Sequence, residues 1–189
     1  SYSSVINYYM NYNKDYIAEG YFVYTINLQT GFTLKGIVNT IGNLITVENE
    51  YTVAIETALS SATNFVVTKT DNDAKQAIEY LKSNNKGRVT FFPMNLIKGK
   101  NIDNETLKIV QNLNGFVSIA SDIVKYDNEY KDIITNQLGN IIVATNIDEA
   151  LNISKKINTK YKVVTLDGEV VHIGGSLTGG SKNQNGGIT

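Results

Sequence analysis

The feature that most constrains this chain is that its second half repeats its first. Asn49-Glu50-Tyr51 recurs as Asn128-Glu129-Tyr130, and the helical pattern ending at Ala58-Leu59 recurs as one ending at Gln137-Leu138. Phe65-Val66-Val67-Thr68 recurs as Ile142-Val143-Ala144-Thr145, Asp73-Ala74 as Glu149-Ala150, and Arg88-Val89-Thr90-Phe91 as Lys162-Val163-Val164-Thr165. The spacing drifts by only a few residues across the set. Each copy reads as one helix–strand–helix–strand unit. Two copies are too few for a solenoid, which needs at least three. The expected fold is therefore α+β, with two related lobes of helices and mixed sheet packed about a pseudo-twofold axis.

Local signals fill in each copy. Residues 36–41 read as a first strand, followed by residues 43–47. Tyr51, Ala54, Ile55, Ala58 and Leu59 share one helical face. Residues 64–68 form a β-branched and aromatic run, the pattern of a buried strand. Thr70-Asp71-Asn72-Asp73 has the form of a capping box. It opens a helix through Ala74, Ala77, Ile78 and Leu81 to about Asn85, with Gly87 as its stop signal. The next strand, residues 88–93, ends at Pro93, the only proline. Residues 98–115 are polar and lack a sustained period, so they read as a boundary between lobes. At the N-terminal end, Val5, Tyr8, Tyr9, Tyr12, Tyr16 and Ile17 recur at three- and four-residue steps, as on one face of a helix.

Near the other end, residues 163–171 read as strand, Asp167-Gly168 turn and strand, a hairpin signal. It delivers Gly174-Gly175-Ser176-Leu177-Thr178-Gly179-Gly180-Ser181 to a surface. Glycine pairs allow positive φ or the close approach of another backbone. Gly175 and Gly180 have the spacing of a phosphate loop, but Ser181 precedes Lys182 and no helix is predicted to follow, so the motif's required context is missing. By composition alone the segment resembles a flexible linker.

The run 163–181 resembles the end of the hinge domain of structural maintenance of chromosomes (SMC) proteins, of the bacterial chromosome partition type. In that family the hairpin is followed by Asn-Pro-Gly-Gly-Ser-Met-Thr-Gly-Gly; here His172 and Ile173 replace Asn and Pro, Leu177 replaces Met, and all four glycines are kept. Residues 87–94 resemble the family's Gly-Arg-Ala-Thr-Phe-Leu-Pro-Leu. Residues 48–59 resemble its Glu-x-x-Tyr, Ala-Ile-Glu and Ala-Leu pattern, with Ser60 where a glycine is usual. The resemblance implies a helical coiled-coil arm root over residues 1–35, hinge lobes over 36–100 and 116–181 joined by a connector at 101–115, and a tail at 182–189 toward the returning arm. It implies a fragment cut close to where the arm begins. It also implies a homodimer, with Gly174, Gly175, Gly179 and Gly180 at the interface. ATP and magnesium would belong to distant heads of the parent protein, which would hydrolyse the ATP, work with accessory subunits and lie in the cytoplasm on the nucleoid. No cofactor is expected within this stretch.

The residue inventory points away from catalysis. Cysteine is absent and His172 is the only histidine, so disulfides, Cys- or His-based metal sites and a base-activated nucleophile lack their parts. Asp71, Asp73, Asp148 and Glu149 fall at helix starts, where carboxylates satisfy free N–H groups. Asp103-Asn104-Glu105 lacks the spacing of a calcium loop. No apolar run approaches the ~20 residues of a membrane span. The net charge is −1, so nucleic-acid binding needs a local patch. Two groups qualify for weak DNA contact: Lys82, Lys86 and Arg88, and, in the matching place of the second copy, Lys155, Lys156, Lys160 and Lys162. Lysines at helix C-termini also complement the helix dipole while remaining solvated. A small-molecule-binding α/β module using a cleft between the lobes is the alternative function.

Overall fold

A computed structural model describes residues 34–181. The apolar series Val5 to Ile17, most of the expected arm root 1–35 and the expected tail 182–189 lie outside the described residues. The first copy runs β1 (Ile37–Thr40), β2 (Thr46–Val47), α1 (Thr52–Leu59), β3 (Val66–Thr68), α2 (Asp71–Ser83) and β4 (Phe91–Pro93). After α3 (Asn104–Val110), the second runs β5 (Phe116–Ile119), β6 (Val124–Lys125), α4 (Lys131–Leu138), β7 (Ile142–Ala144), α5 (Ile147–Lys156) and β8 (Val163–Thr165). It continues into β9 (Val170–Val171) and β10 (Leu177–Thr178).

The duplication is written into the hydrogen bonding. β1 pairs antiparallel with β3, and β3 pairs parallel with β4; β5, β7 and β8 repeat this order. Ile41 N donates to Phe65 O, and Ala120 N to Ile141 O, both at 2.9 Å. Lys69 N donates to Gly36 O, and Thr145 N to Gly115 O, again both at 2.9 Å. Gly36 and Gly115 sit at φ +76° and +79°, and a Cβ on either would collide with Asp73 or Glu149. Both conditions demand glycine at this one place in each copy. β3 and β7 are buried at every residue, as expected of central strands covered on both faces.

Strand register corrects the alignment of the copies at two points: Val66, not Phe65, is the equivalent of Ile142, a shift of one, and the following strand shifts by two. Val66 pairs with Phe91 and Ile142 with Val163, so Arg88 to Phe91 corresponds to Lys160 to Val163, two residues earlier than the sequence match. The runs Val-Thr-Phe and Val-Val-Thr look alike because both are β-formers, which makes a short run a poor register marker.

Two local expectations change. The helix α2 does open with the expected capping box: Asp73 N donates to Thr70 Oγ1 at 3.1 Å and Thr70 N to Asp73 Oδ2 at 3.2 Å. It ends at Ser83, close to the expected Asn85, but its stop is Asn85 rather than Gly87. Asn85 takes the left-handed position (φ 50°), and Lys86 N reaches Leu81 O at 3.0 Å, a Schellman closure that asparagine can serve. The stretch 101–115 is no bare connector. Asp103 caps α3, accepting from Thr106 N at 2.9 Å, and Ile102 and Val110 enter a core with Ile142, Ile153, Ile157 and Val163.

The described chain forms two compact units that do not follow the repeat boundaries. Of the described residues, unit 1 holds 34–46, Leu59–Lys100 and Val124–Gln137; unit 2 holds Val47–Ala58, Asn101–Ile123 and 138–181. Each unit thus takes a helix from the other copy. In unit 1, α4 is tied in by Asp132 Oδ1 accepting from Gly99 N (3.1 Å) and Asn136 Nδ2 donating to Lys98 O (2.8 Å). In unit 2, Val53 and Thr57 of α1 lie 3.1 Å from where a Cβ on Gly168 would stand. The lobes 36–100 and 116–181 expected from sequence describe the duplication; these interleaved units describe the packing.

Candidate interface hairpin and cationic loops

Unit 2 extends the shared three-strand motif by β9 and β10, giving the order β10-β9-β8-β7-β5. The Asp167-Gly168 turn is as expected, with Gly168 N donating to Thr165 O at 3.1 Å and Gly168 at φ +93°. A second hairpin follows, missed by sequence reasoning because β10 is only two residues long. His172 N donates to Ser176 O at 2.8 Å, Gly175 N to His172 O at 3.0 Å and Gly174 N to Thr159 O at 3.2 Å. His172 Nε2 and Thr178 Oγ1 lie 2.8 Å apart, so the one imidazole closes this hairpin.

The four glycines divide by conformation. Gly174 (φ +88°), Gly175 (+103°) and Gly180 (+123°) occupy positions that L side chains rarely adopt; Gly179 does not. A Cβ on Gly174 or Gly180 would meet nothing within 4 Å, and one on Gly179 would stand 3.1 Å from Glu169 Cγ. Within one chain, then, three of these glycines are required by backbone conformation, and none is pressed by another backbone. β10 lies at the end of its sheet and is exposed, with Leu177 at 55% and Ile173 beside it at 63%.

The cationic residues lie where α2 and α5 hand over to the next strand. Lys82, Lys86 and Arg88 are exposed, and no ion pair among the described residues involves them. Ile78, Leu81, Lys82, Gly87, Arg88 and Val89 line a shallow cleft of about 420 Å³. Lys155 and Lys156 are exposed on the last turn of α5, and Lys162 is half-buried. Lys160 differs from all of these. Its Nζ donates to Asp103 Oδ2 at 2.8 Å and stands 5.5 Å from the Tyr161 ring centroid. Asp103 also accepts from Tyr161 Oη (2.8 Å) and from Thr106 Oγ1 (2.8 Å). The Lys160 ammonium, then the Thr106 donors, hold the Asp103 carboxyl well below the usual carboxylate range, and Asp103 in turn raises Lys160.

The expectation of matching charge in matching places holds at one position only. Thr70 and Asn146 cap equivalent helices, which sets Lys155 and Lys156 opposite Glu79 and Tyr80. Arg88 and Lys160 are the equivalent cations. The Asp103 cluster was legible in part: aspartate three residues before Thr106, ahead of Leu107 and Val110, is an N-cap signal. Its partners Lys160 and Tyr161 are far away in sequence and left no trace. Among the described residues, no group of three His, Asp or Glu side chains could hold a metal ion, and no helix is long and apolar enough to cross a membrane.

Comparison with known proteins agrees with this architecture. The family model described as the SMC proteins flexible hinge domain matches residues 34–154. The chromosome partition protein Smc of Mesomycoplasma hyorhinis is 36% identical over 170 residues, covering 90% of this chain and 17% of that protein. That of Clostridium kluyveri is 40% identical over 141 residues, 75% of this chain and 12% of the relative. The chain thus spans under a fifth of these relatives. The crystal structure of an asymmetric dimer of the Geobacillus stearothermophilus SMC hinge domain superposes with a TM-score of 0.82 at 34% identity, covering 97% of this chain and 74% of that one. The Pyrococcus furiosus SMC hinge domain gives 0.69 at 29% identity, covering 88% and 85%. With matching motifs, matching fold and matched residues spanning both copies of the duplication, the chain belongs to the SMC hinge domain family.

Proposed function

We propose that this hinge is a homodimerisation module that joins two coiled-coil arms of a chromosome partition protein. The arms would carry ATP-binding, magnesium-dependent heads at their far ends, and accessory subunits would act on the assembled protein at the nucleoid in the cytoplasm. The hinge itself would have a mechanical rather than a catalytic task. The observation that carries this reading is the exposed end strand β10, which the hairpin from β9 presents at the edge of the sheet. An end strand presents unpaired backbone groups to a second strand, Leu177 and Ile173 add exposed apolar surface, and a twofold contact lets one such edge complement itself. The Geobacillus relative is a dimer, which supports the same state here. Light scattering coupled to size exclusion tests it: a dimer is expected at tens of micromolar. A monomer with an intact circular dichroism spectrum refutes it. Weak, salt-dependent contact with duplex DNA through the exposed cations is the second part of the reading. It is tested by titration of labelled duplex at low salt.

A further inference from the structure

We propose that Asp103 makes the DNA contact of this hinge one-sided: Lys82, Lys86 and Arg88 of unit 1 meet the phosphate backbone, and Lys160 of unit 2 is withheld from it. This inference rests on the DNA-contact reading above and adds which cations perform it and which residue decides. Arg88 and Lys160 occupy equivalent places by strand register, each three residues before the first paired residue of its strand, Phe91 or Val163. Each follows a Schellman closure, two residues past Lys86 in unit 1 and one past Thr159 in unit 2. Their surroundings are opposite. Arg88 is exposed at the rim of the cleft floored by Ile78, Leu81 and Val89, beside Lys82. Its planar guanidinium offers two parallel donors to a phosphate.

In unit 2 the positions equivalent to Leu81, Arg88 and Val89 are Ile157, Lys160 and Tyr161, and α3 packs against α5 there through Leu107 and Val110. The cap residue of α3, Asp103, reaches Lys160. An exposed ion pair is ordinarily weak and rearranges freely, but this carboxylate cannot swing aside. Thr106 N, Thr106 Oγ1 and Tyr161 Oη fix it independently of the lysine. A phosphate approaching Lys160 must therefore approach a fixed negative charge of equal size, with Glu105 adding to the field. The pair releases no counterion on binding, so it adds nothing to the salt-dependent affinity that Lys and Arg give to DNA complexes.

The test is the slope of log K against log salt for a labelled duplex, between about 50 and 200 mM salt, where each phosphate neutralised contributes about −0.9. Asp103→Asn removes the charge and keeps a good N-cap. It should steepen the slope by about one per engaged protomer. Lys160→Gln in that background should reverse the gain. Lys160→Gln alone should leave the wild-type slope unchanged, and Arg88→Gln should flatten it by about one. The inference is overturned if Lys160→Gln alone flattens the slope as much as Arg88→Gln, or if folded Asp103→Asn binds like the wild type. If neither the wild type nor Asp103→Asn binds duplex at the lowest salt, the DNA-contact reading itself fails; if the wild type binds and only the variant pattern is wrong, that reading survives without this one.

Discussion

Replacing Gly174 and Gly175 together with alanine is the perturbation most directly tied to the proposed interface. Both residues sit in the turn between β9 and β10, at φ +88° and +103°, and a Cβ meets nothing closer than Thr159 Cγ2 at 3.7 Å. Steric collision therefore contributes little, and the cost is conformational. Left-handed backbone costs a non-glycine residue roughly 1–2 kcal/mol, so the pair destabilises the hairpin by at least about 2 kcal/mol per protomer. β10 has two residues and is exposed, so relief is expected by local opening of the hairpin, and the sheet core through β7 and β8 should persist. A dimer needs two ordered hairpins, which doubles the cost to about 4 kcal/mol. At 1.4 kcal/mol per decade, dimer affinity falls about a thousandfold while the melting transition of the monomer changes little. Sedimentation across a concentration series, with melting at low concentration, reads both. Gly179→Ala is the internal control, since its φ is ordinary. Equal dimer affinity for the double variant and the wild type would refute the assignment of this hairpin to the interface.

Other expectations are simpler. Gly36→Ala or Gly115→Ala meets both positive φ and a collision with Asp73 or Glu149; each should lower stability by more than about 2 kcal/mol in chemical denaturation. Ser60 holds φ 50° at the end of α1, so Ser60→Gly should raise stability by about 1 kcal/mol. Thr70→Ala removes the side-chain half of the capping box on α2, leaving the backbone N–H of residue 70 to donate to Asp73 Oδ2, and should cost about 1 kcal/mol. Asp103 has a depressed pKa in the folded chain. Its contribution is present above the unfolded value of about 3.9 and is lost only as pH falls toward the lower folded value. The wild type should therefore melt above Asp103→Asn at pH 7, and the two curves should converge only under strongly acidic conditions.

The sequence was most informative where structure is local. The Thr70 capping box, the Asp167-Gly168 turn and the buried strands β3 and β7 are each determined by neighbours within a few residues, and each appears where the pattern puts it. Gly36 and Gly115 illustrate a partial signal: the residue type is visible, but the collision with Asp73 or Glu149 that enforces it is tertiary. What sequence did not reveal is set by distance or brevity. Helix α3 hides its period because only seven residues are helical and Asn104, Glu105 and Lys108 break the apolar run. β10 is too short to show alternation. The pairing of Asp103 with Lys160 spans 57 residues, and no local pattern records it. In the cationic loops the duplication itself misled, because a slip of two positions in the strand alignment set Arg88 against the wrong lysine.

The exchange of α1 and α4 between the two units has a consequence for how the chain assembles. The chain passes from one unit to the other after Thr46, Ala58, Lys100, Ile123 and Gln137. Two domains joined by one linker can be pulled apart like beads on a string, each surviving the loss of its neighbour. Here neither unit is one continuous stretch of chain, so each must assemble around a helix contributed by the other copy, and neither can fold from its own copy alone. The same braiding constrains how such a chain arose. One copy alone, ending near Lys100, would lack the helix that completes its unit and would have to borrow it from a second molecule. The duplicated chain is in effect a swapped dimer of half-hinges made permanent by fusion, with the swap now performed within one polypeptide.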